Sequence, residues 1–429
     1  FIGNLFQLLY SIVDIHIVGV TLGQDSLAAV GGTSTLSDLM IALIFGLTNG
    51  FAIISSRHFG ADNIKKLKKT VAMTFLLGGG ITIILTFIGV IFLAPILRIL
   101  NVPTEIMGEA AGYIRIILIG MIASALYNAC AATLRAVGDT VTPLIFLIIS
   151  SFLNVFMDYF FILGLKMGVE GAAYATVLAQ LISFLLCIVY MYKKYPMLRM
   201  KREDFEPDYK LISLMLTTGM SVGLMNALVN VGTVALQTTI NTFGTETIVA
   251  HTAARKLTGI YMMWFPVFGQ ALATFCGQNL GAGKYERIRQ GILQTFLVNL
   301  IWDGLVIISA YTMAPTLIKL ITGFANENII NTATLYLKIN TIFYFETTVV
   351  CLFRNSFQGI GDTVTPIVSS MLELIVKVVV ALLLAPAIGY MGIIVAEPIA
   401  WFLMAIPLVV QFFRNPIINN RVNNPAIIH

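Results

Sequence analysis

The sequence predicts an all-α membrane protein of twelve transmembrane helices arranged as two six-helix, pseudo-symmetric bundles. Three observations predict it: an apolar composition, a train of apolar segments of membrane-spanning length, and an internal repeat. Of 429 residues, 58% are apolar and 11% are charged, where an ordinary soluble domain carries about 25% charged residues. The mean hydropathy is +0.90. Such a chain lacks the polar residues to cover a water-facing surface, which excludes a soluble enzyme and a disordered protein. The net charge of +5 is mild. The basic residues sit in short loops rather than on one face, so no nucleic-acid partner is expected.

Segments of about 20 apolar residues cross about 30 Å of hydrocarbon as helices. The first, 1–20, opens inside an apolar run without Met, so its start is expected to be missing; it carries Asp14. The second is 33–56, with Gly46 and Gly50 one turn apart, and the third is 71–98, where Gly78, Gly79 and Gly80 permit close helix approach or a kink. Spans four to six are 110–134, 142–164 with Asn154 and Asp158, and 169–192 with Thr176. A charged linker, 193–210, follows. Spans seven to nine are 211–242, 246–274 with His251, Arg255 and Lys256, and 290–320. The last three are 330–358 with Glu346, 364–387 with Glu373 and Lys377, and 390–413 with Glu397. The domain reading is an N-lobe (1–192), the linker (193–210), a C-lobe (211–415) and a tail (416–429). Cys130, Cys187, Cys276 and Cys351 lie far apart in apolar runs and read as buried small hydrophobes. His16, His58, His251 and His429 form no metal spacing.

Loop charges set the orientation. Eighteen Lys and Arg, Arg135 and Arg354 among them, fall on one side of the alternating spans and five on the other. The positive-inside rule places the larger set in the cytoplasm. Both termini are then cytoplasmic in a multi-pass protein of the cell membrane.

The halves repeat. Gly138-Asp139-Thr140-Val141-Thr142-Pro143 recurs as Gly361-Asp362-Thr363-Val364-Thr365-Pro366, an offset of 223. Gly60-Ala61 recurs as Gly281-Ala282, Gly23 as Gly244 and Gly171 as Gly392, all at 221. Each half has an even number of spans, so both insert in the same orientation, as parallel repeats do in alternating-access carriers. The repeated hexapeptide reads as a turn: Gly ends one helix, Asp caps, and Pro opens the next.

Ionisable groups inside spans are costly and mark function by default. By helical rise, Asp14 and Asp158 each lie about 9 Å below the outer surface, Thr176 about 12 Å and Asn154 about 15 Å. Two carboxylates, an amide and a hydroxyl thus share one layer of the N-lobe. No basic residue accompanies them at that depth, so the acids must share a proton or hold a hard cation such as Na⁺. In the C-lobe the repeat replaces Asp14 with Ala235, Asn154 with Lys377, Asp158 with Ala381 and Thr176 with Glu397. Lys377 has Glu373 one turn before it. These groups neutralise one another, so the cation site is expected in the N-lobe alone. Glu373, Lys377 and Glu397 are expected to form a structural or gating network. Glu346, about 24 Å deep, is a candidate second proton or substrate carboxylate. Arg255 and Lys256 are candidate buried partners or cavity-lining residues.

The motifs together resemble the multidrug and toxic compound extrusion (MATE) transporters. They include Val13-Asp14 with Gly19, Gly46-Leu47-x-x-Gly50, Gly60-Ala61-Asp62, Leu134-Arg135-Ala136-x-Gly138-Asp139-Thr140, Asn154-x-x-x-Asp158, and Gly277-Gln278-Asn279-Leu280-Gly281-Ala282. The N-lobe acids look like those of the DinF-like branch, where the resemblance implies a cation site at Asp14, Asn154, Asp158 and Thr176. The NorM-like branch has an acid in span seven; Ala227 to Asn230 has none here. An acid is expected near Thr347, and Glu346 stands one position away. The implied function is secondary antiport of organic, often cationic and amphipathic compounds against H⁺ or Na⁺. It needs no cofactor and has small organic substrates and membrane lipids as partners, in a monomer. The alternative is a flippase for a lipid-linked precursor.

Overall fold

A computed structural model describes Val13 and residues 17–100, 102–322 and 326–419. After a helical piece at 17–22, the helices are α1 (Gln24–Gly60), α2 (Ile64–Ile91), α3 (Leu93–Ile99), α4 (Met107–Ala136), α5 (Val141–Tyr159) and α6 (Val169–Lys194). They continue as α7 (Tyr209–Ile240), α8 (Thr245–Met262), α9 (Trp264–Gly281), α10 (Tyr285–Thr312) and α11 (Ala314–Thr322). The last are α12 (Glu327–Ile342), α13 (Tyr344–Ile360), α14 (Val364–Val379), α15 (Ala385–Ile388) and α16 (Tyr390–Arg414).

Among the described residues, ten helical stretches are long and apolar enough to cross a membrane. Two expected spans are not among them. The first falls mostly outside the described residues. The tenth, expected over 330–358, is two helices, α12 and α13, that meet at Phe343. Lys338, Asn340, Thr341 and Glu346 interrupt its hydropathy. The eighth expected span is α8 and α9 together, interrupted at Met263 just before Pro266, as prolines interrupt helices.

The chain forms two compact units, residues 1–223 and 224–429. In the first, α4 is central and packs against α1, α2 and α6, with α5 on α6. In the second, α13 packs against α9, α10 and α16, while α14 lies on α16 and α12 on α8. Local backbone carries the repeat. Gly138 and Gly361 have φ of 98° and 97°, a region open to glycine at little cost. After each, an aspartate caps the next helix: Asp139 accepts from Thr142 N–H and Asp362 from Thr365 N–H, both at 3.0 Å. Matching π-helical turns follow at Phe160–Gly164 and Val380–Leu384.

Helix α5 buries its polar side rather than its apolar one. On α5, Phe152 and Phe156 are each 68% exposed, while Asn154 and Asp158 are 2% and 0% exposed. That is the inside-out arrangement a bilayer permits, since lipid accepts the phenylalanines and only protein can pair the polar groups. Arg135 and Arg354, expected among the loop charges, lie within helices. Arg135 lies in the last turn of α4 and donates to Asn49 Oδ1 at 3.3 Å. Arg354 is buried within α13.

Candidate functional site

The N-lobe candidates sit on two packed helices, α5 and α6. Asn154 and Asp158 are one turn apart, so they share a face, and both are buried. Across from them, Thr176 of α6 joins Asn154, Ser150, Ser151 and Gln180 around a cavity of about 10 Å³, with Leu147 and Ala179 as its apolar wall. A polar cavity of that size holds about one water or a bare ion. Neither Oδ1 nor Nδ2 of Asn154 has a hydrogen-bond partner among the described residues. A buried amide left without a partner is costly. The π-helical turn begins two residues beyond Asp158, and Gly171 of α6 lies tight against it. A Cβ there would stand 3.1 Å from that of Phe161. The structure therefore brings together Asn154 and Thr176 around one cavity, with Asp158 one turn further along α5. Asp14, the fourth expected member, lies outside the described residues.

The C-lobe candidates form a chain of alternating charges. Lys377 Nζ lies 2.9 Å from Glu373 Oε1 and 3.3 Å from Glu397 Oε1. Beyond Glu397, Arg255 Nη1 is 3.4 Å away; beyond Glu373, Arg354 Nη1 is 3.7 Å away. Arg354 Nη2 also donates to Ser370 Oγ at 2.6 Å, and Lys377 donates to Thr233 Oγ1 at 3.3 Å. Lys377 is 2% exposed. A lysine this buried persists because two carboxylates flank it. Lys256, the other basic residue of α8, is exposed. His251 Nδ1 pairs with Tyr390 Oη at 3.0 Å, a hydrogen-bonded helix residue. Glu346 is in the first turn of α13 and stands apart from these ion pairs.

Two residues escaped the sequence reading. Arg354 was grouped with loop cations because it sits near the end of a span. Asp303, mid-α10 and 4% exposed, would have emerged from the depth rule applied to the ninth span. It lies 17 residues from that expected span's end at 320. The repeat gave it no flag, because its N-lobe counterpart at offset 221 is Thr82.

Comparison with known proteins places this geometry in a family. The MatE family model matches residues 1–160 and 222–383. The probable multidrug resistance protein YoeA of Bacillus subtilis (strain 168) is 31% identical over 330 residues, covering 74% of this chain and 70% of the relative. The probable multidrug resistance protein NorM of Thermotoga maritima is 24% identical, covering 86% of this chain and 80% of the relative. A solved structure of a MATE protein in the bent conformation superposes with a TM-score of 0.91 over 99% of this chain and 94% of its own, at 22% identity. The chain belongs to the MatE family, the multidrug and toxic compound extrusion transporters.

Proposed function

We propose that this transporter is a secondary antiporter that exports organic, often cationic and amphipathic, compounds in exchange for H⁺ or Na⁺. It belongs to the DinF-like branch, with its coupling site in the N-lobe at Asp14, Asn154, Asp158 and Thr176. The observation that carries the reading is the buried, unpartnered amide of Asn154, facing Thr176 across a cavity of about 10 Å³ with Asp158 a turn away. Binding of H⁺ or Na⁺ from outside neutralises the acids, which weakens the hold on a cationic substrate and favours closure of the outward-open state. Release inside restores the anionic site. The ion-paired network of Glu373, Lys377 and Glu397 serves structure or gating, because each of its charges already has a partner of opposite sign. Residues 1–192 and 211–415 act as the two lobes of an alternating-access carrier, joined by 193–210. The protein works as a monomer in the cytoplasmic membrane, with both termini in the cytoplasm.

The test is efflux from vesicles of the purified protein with ΔpH and ΔpNa imposed separately. The reading expects drug efflux to follow at least one gradient and to collapse when that gradient is dissipated. Efflux that ignores both gradients would overturn it.

A further inference from the structure

We propose that Asp303 is a proton-binding site in the C-terminal half, built between α10 and α13 and separate from the ion-paired network. Its use in exchange rests on the antiport reading; its existence does not. It extends the expectation of a single, N-lobe cation site.

Asp303 is almost wholly buried, at 4% exposed. Its Oδ2 accepts from Thr348 Oγ1 of α13 at 2.8 Å, while its Oδ1 is buried with no partner. One turn earlier on the same face, Asn299 has its amide nitrogen committed to Thr295 O at 2.8 Å and its Oδ1 buried without a partner. Glu346 lies two residues before Thr348 on α13, and its Oε2 is likewise buried and unpartnered.

The site thus holds three acceptor oxygens without donors and two acids without a cation. The neighbouring elements supply none. α10 packs against α9, α11, α12 and α13, and α8 reaches it through Tyr261 Oη and Ser309 Oγ. No charged residue lies on α9. Lys319 on α11 is exposed, and Lys338 on α12 sits over the ring of Tyr311 at 5.4 Å. Arg354 on α13 is bound to Glu373 and Ser370, and Arg255 on α8 to Glu397. Lys256 on α8 is exposed, and the thiols and phenols on these elements, Tyr261, Cys276, Tyr311, Tyr336, Tyr344 and Cys351 among them, are neutral near neutral pH. A carboxylate buried in low dielectric does not stay charged without a counter-charge. A proton on Asp303 removes one charge and turns one orphan acceptor into a donor. It does so without the shell of oxygens a metal ion requires, and no group of three or more acidic, His or Cys ligands gathers here among the described residues.

Infrared difference spectroscopy of the purified protein in lipid, between acid and alkaline buffer, tests this. The parent should show the carbonyl stretch of a buried protonated carboxylic acid near neutral pH. Asp303→Asn should abolish it; Thr348→Val should shift its frequency, because the acid's carbonyl oxygen loses a hydrogen bond. Glu346→Gln should keep the band and move the pH at which it titrates. A band unchanged in both Asp303→Asn and Thr348→Val would overturn the assignment, and so would a band that sodium erases at constant pH. Asp158→Asn should leave the band in place. Failure of vesicle efflux to follow either gradient, with the band intact, would count against the antiport reading alone.

Discussion

Lys377 is the residue on which the C-lobe interior turns, because it touches both buried carboxylates at hydrogen-bonding distance. Removing one partner of a buried ion pair costs about 3–5 kcal/mol. Here each acid keeps an arginine, at 3.7 Å and 3.4 Å, so Lys377→Met should sit at the low end, about 3 kcal/mol. A thermal melt in detergent checks it, and an unshifted midpoint would contradict the network. Asp139 supplies a second case, in a loop. Partial burial opposes its charge, but hydrogen bonds from Thr142, Tyr195 and Val141 outweigh that and hold its carboxyl below the usual 3.8. Burial and the bond to Asp139 push the Tyr195 phenol up to about 12. A depressed folded-state value stabilises at pH above the unfolded value, and that contribution fades as pH falls through the folded one. Asp139→Ala should therefore cost about 1 kcal/mol near neutral pH, as lost helix caps do, and the difference from the parent should vanish in strong acid. A gap that widens on acidification would be the wrong sign. The sequence revealed Glu373 and Lys377 through their one-turn spacing. It hid Arg354 and Asp303, whose partners, Glu373 and Thr348 respectively, come from other helices.

At the level of helices, the closest packing in the N-terminal unit is made by glycines. Gly46 and Gly50 of α1 face Gly223 and Gly219 of α7. A Cβ on Gly50 would stand 2.5 Å from the Gly219 Cα, and one on Gly46 2.8 Å from the Gly223 Cα. Backbone cannot yield as a flexible side chain can. Gly50→Ala should therefore cost about 1–3 kcal/mol, the usual toll of overpacking, while Gly31→Ala on the same helix, with open space around it, should be neutral or stabilising by about 0.4–1 kcal/mol. Equal melting temperatures for the two variants would refute the close crossing. The Gly46–Gly50 spacing was legible in the sequence, but its partner pair on α7 was not. Nothing in a single helix says which neighbour a small-residue stripe will meet. Spans were legible to within a few turns because hydropathy reports length directly. The break at Phe343 was not, since a run of mixed polarity fits one polar span as well as two short helices.

Across the whole chain, the repeat was the most informative signal, because matching glycines and aspartates impose matching turns whatever surrounds them. It left the chemistry of the halves to be read from their differences. The N-terminal half keeps a buried amide and acid on α5, and the C-terminal half puts Lys377 and its carboxylates in the corresponding layer. From that asymmetry we propose that coupling to substrate resides at Asp158 and not in the Glu397 network. The most direct measurement is gradient-driven efflux in proteoliposomes for the parent, Asp158→Asn and Glu397→Gln, each reconstituted at equal, folded amounts. The account predicts that Asp158→Asn abolishes the gradient-dependent component while Glu397→Gln retains most of it. Retention of coupled efflux by Asp158→Asn, or equal loss in both variants, would contradict it.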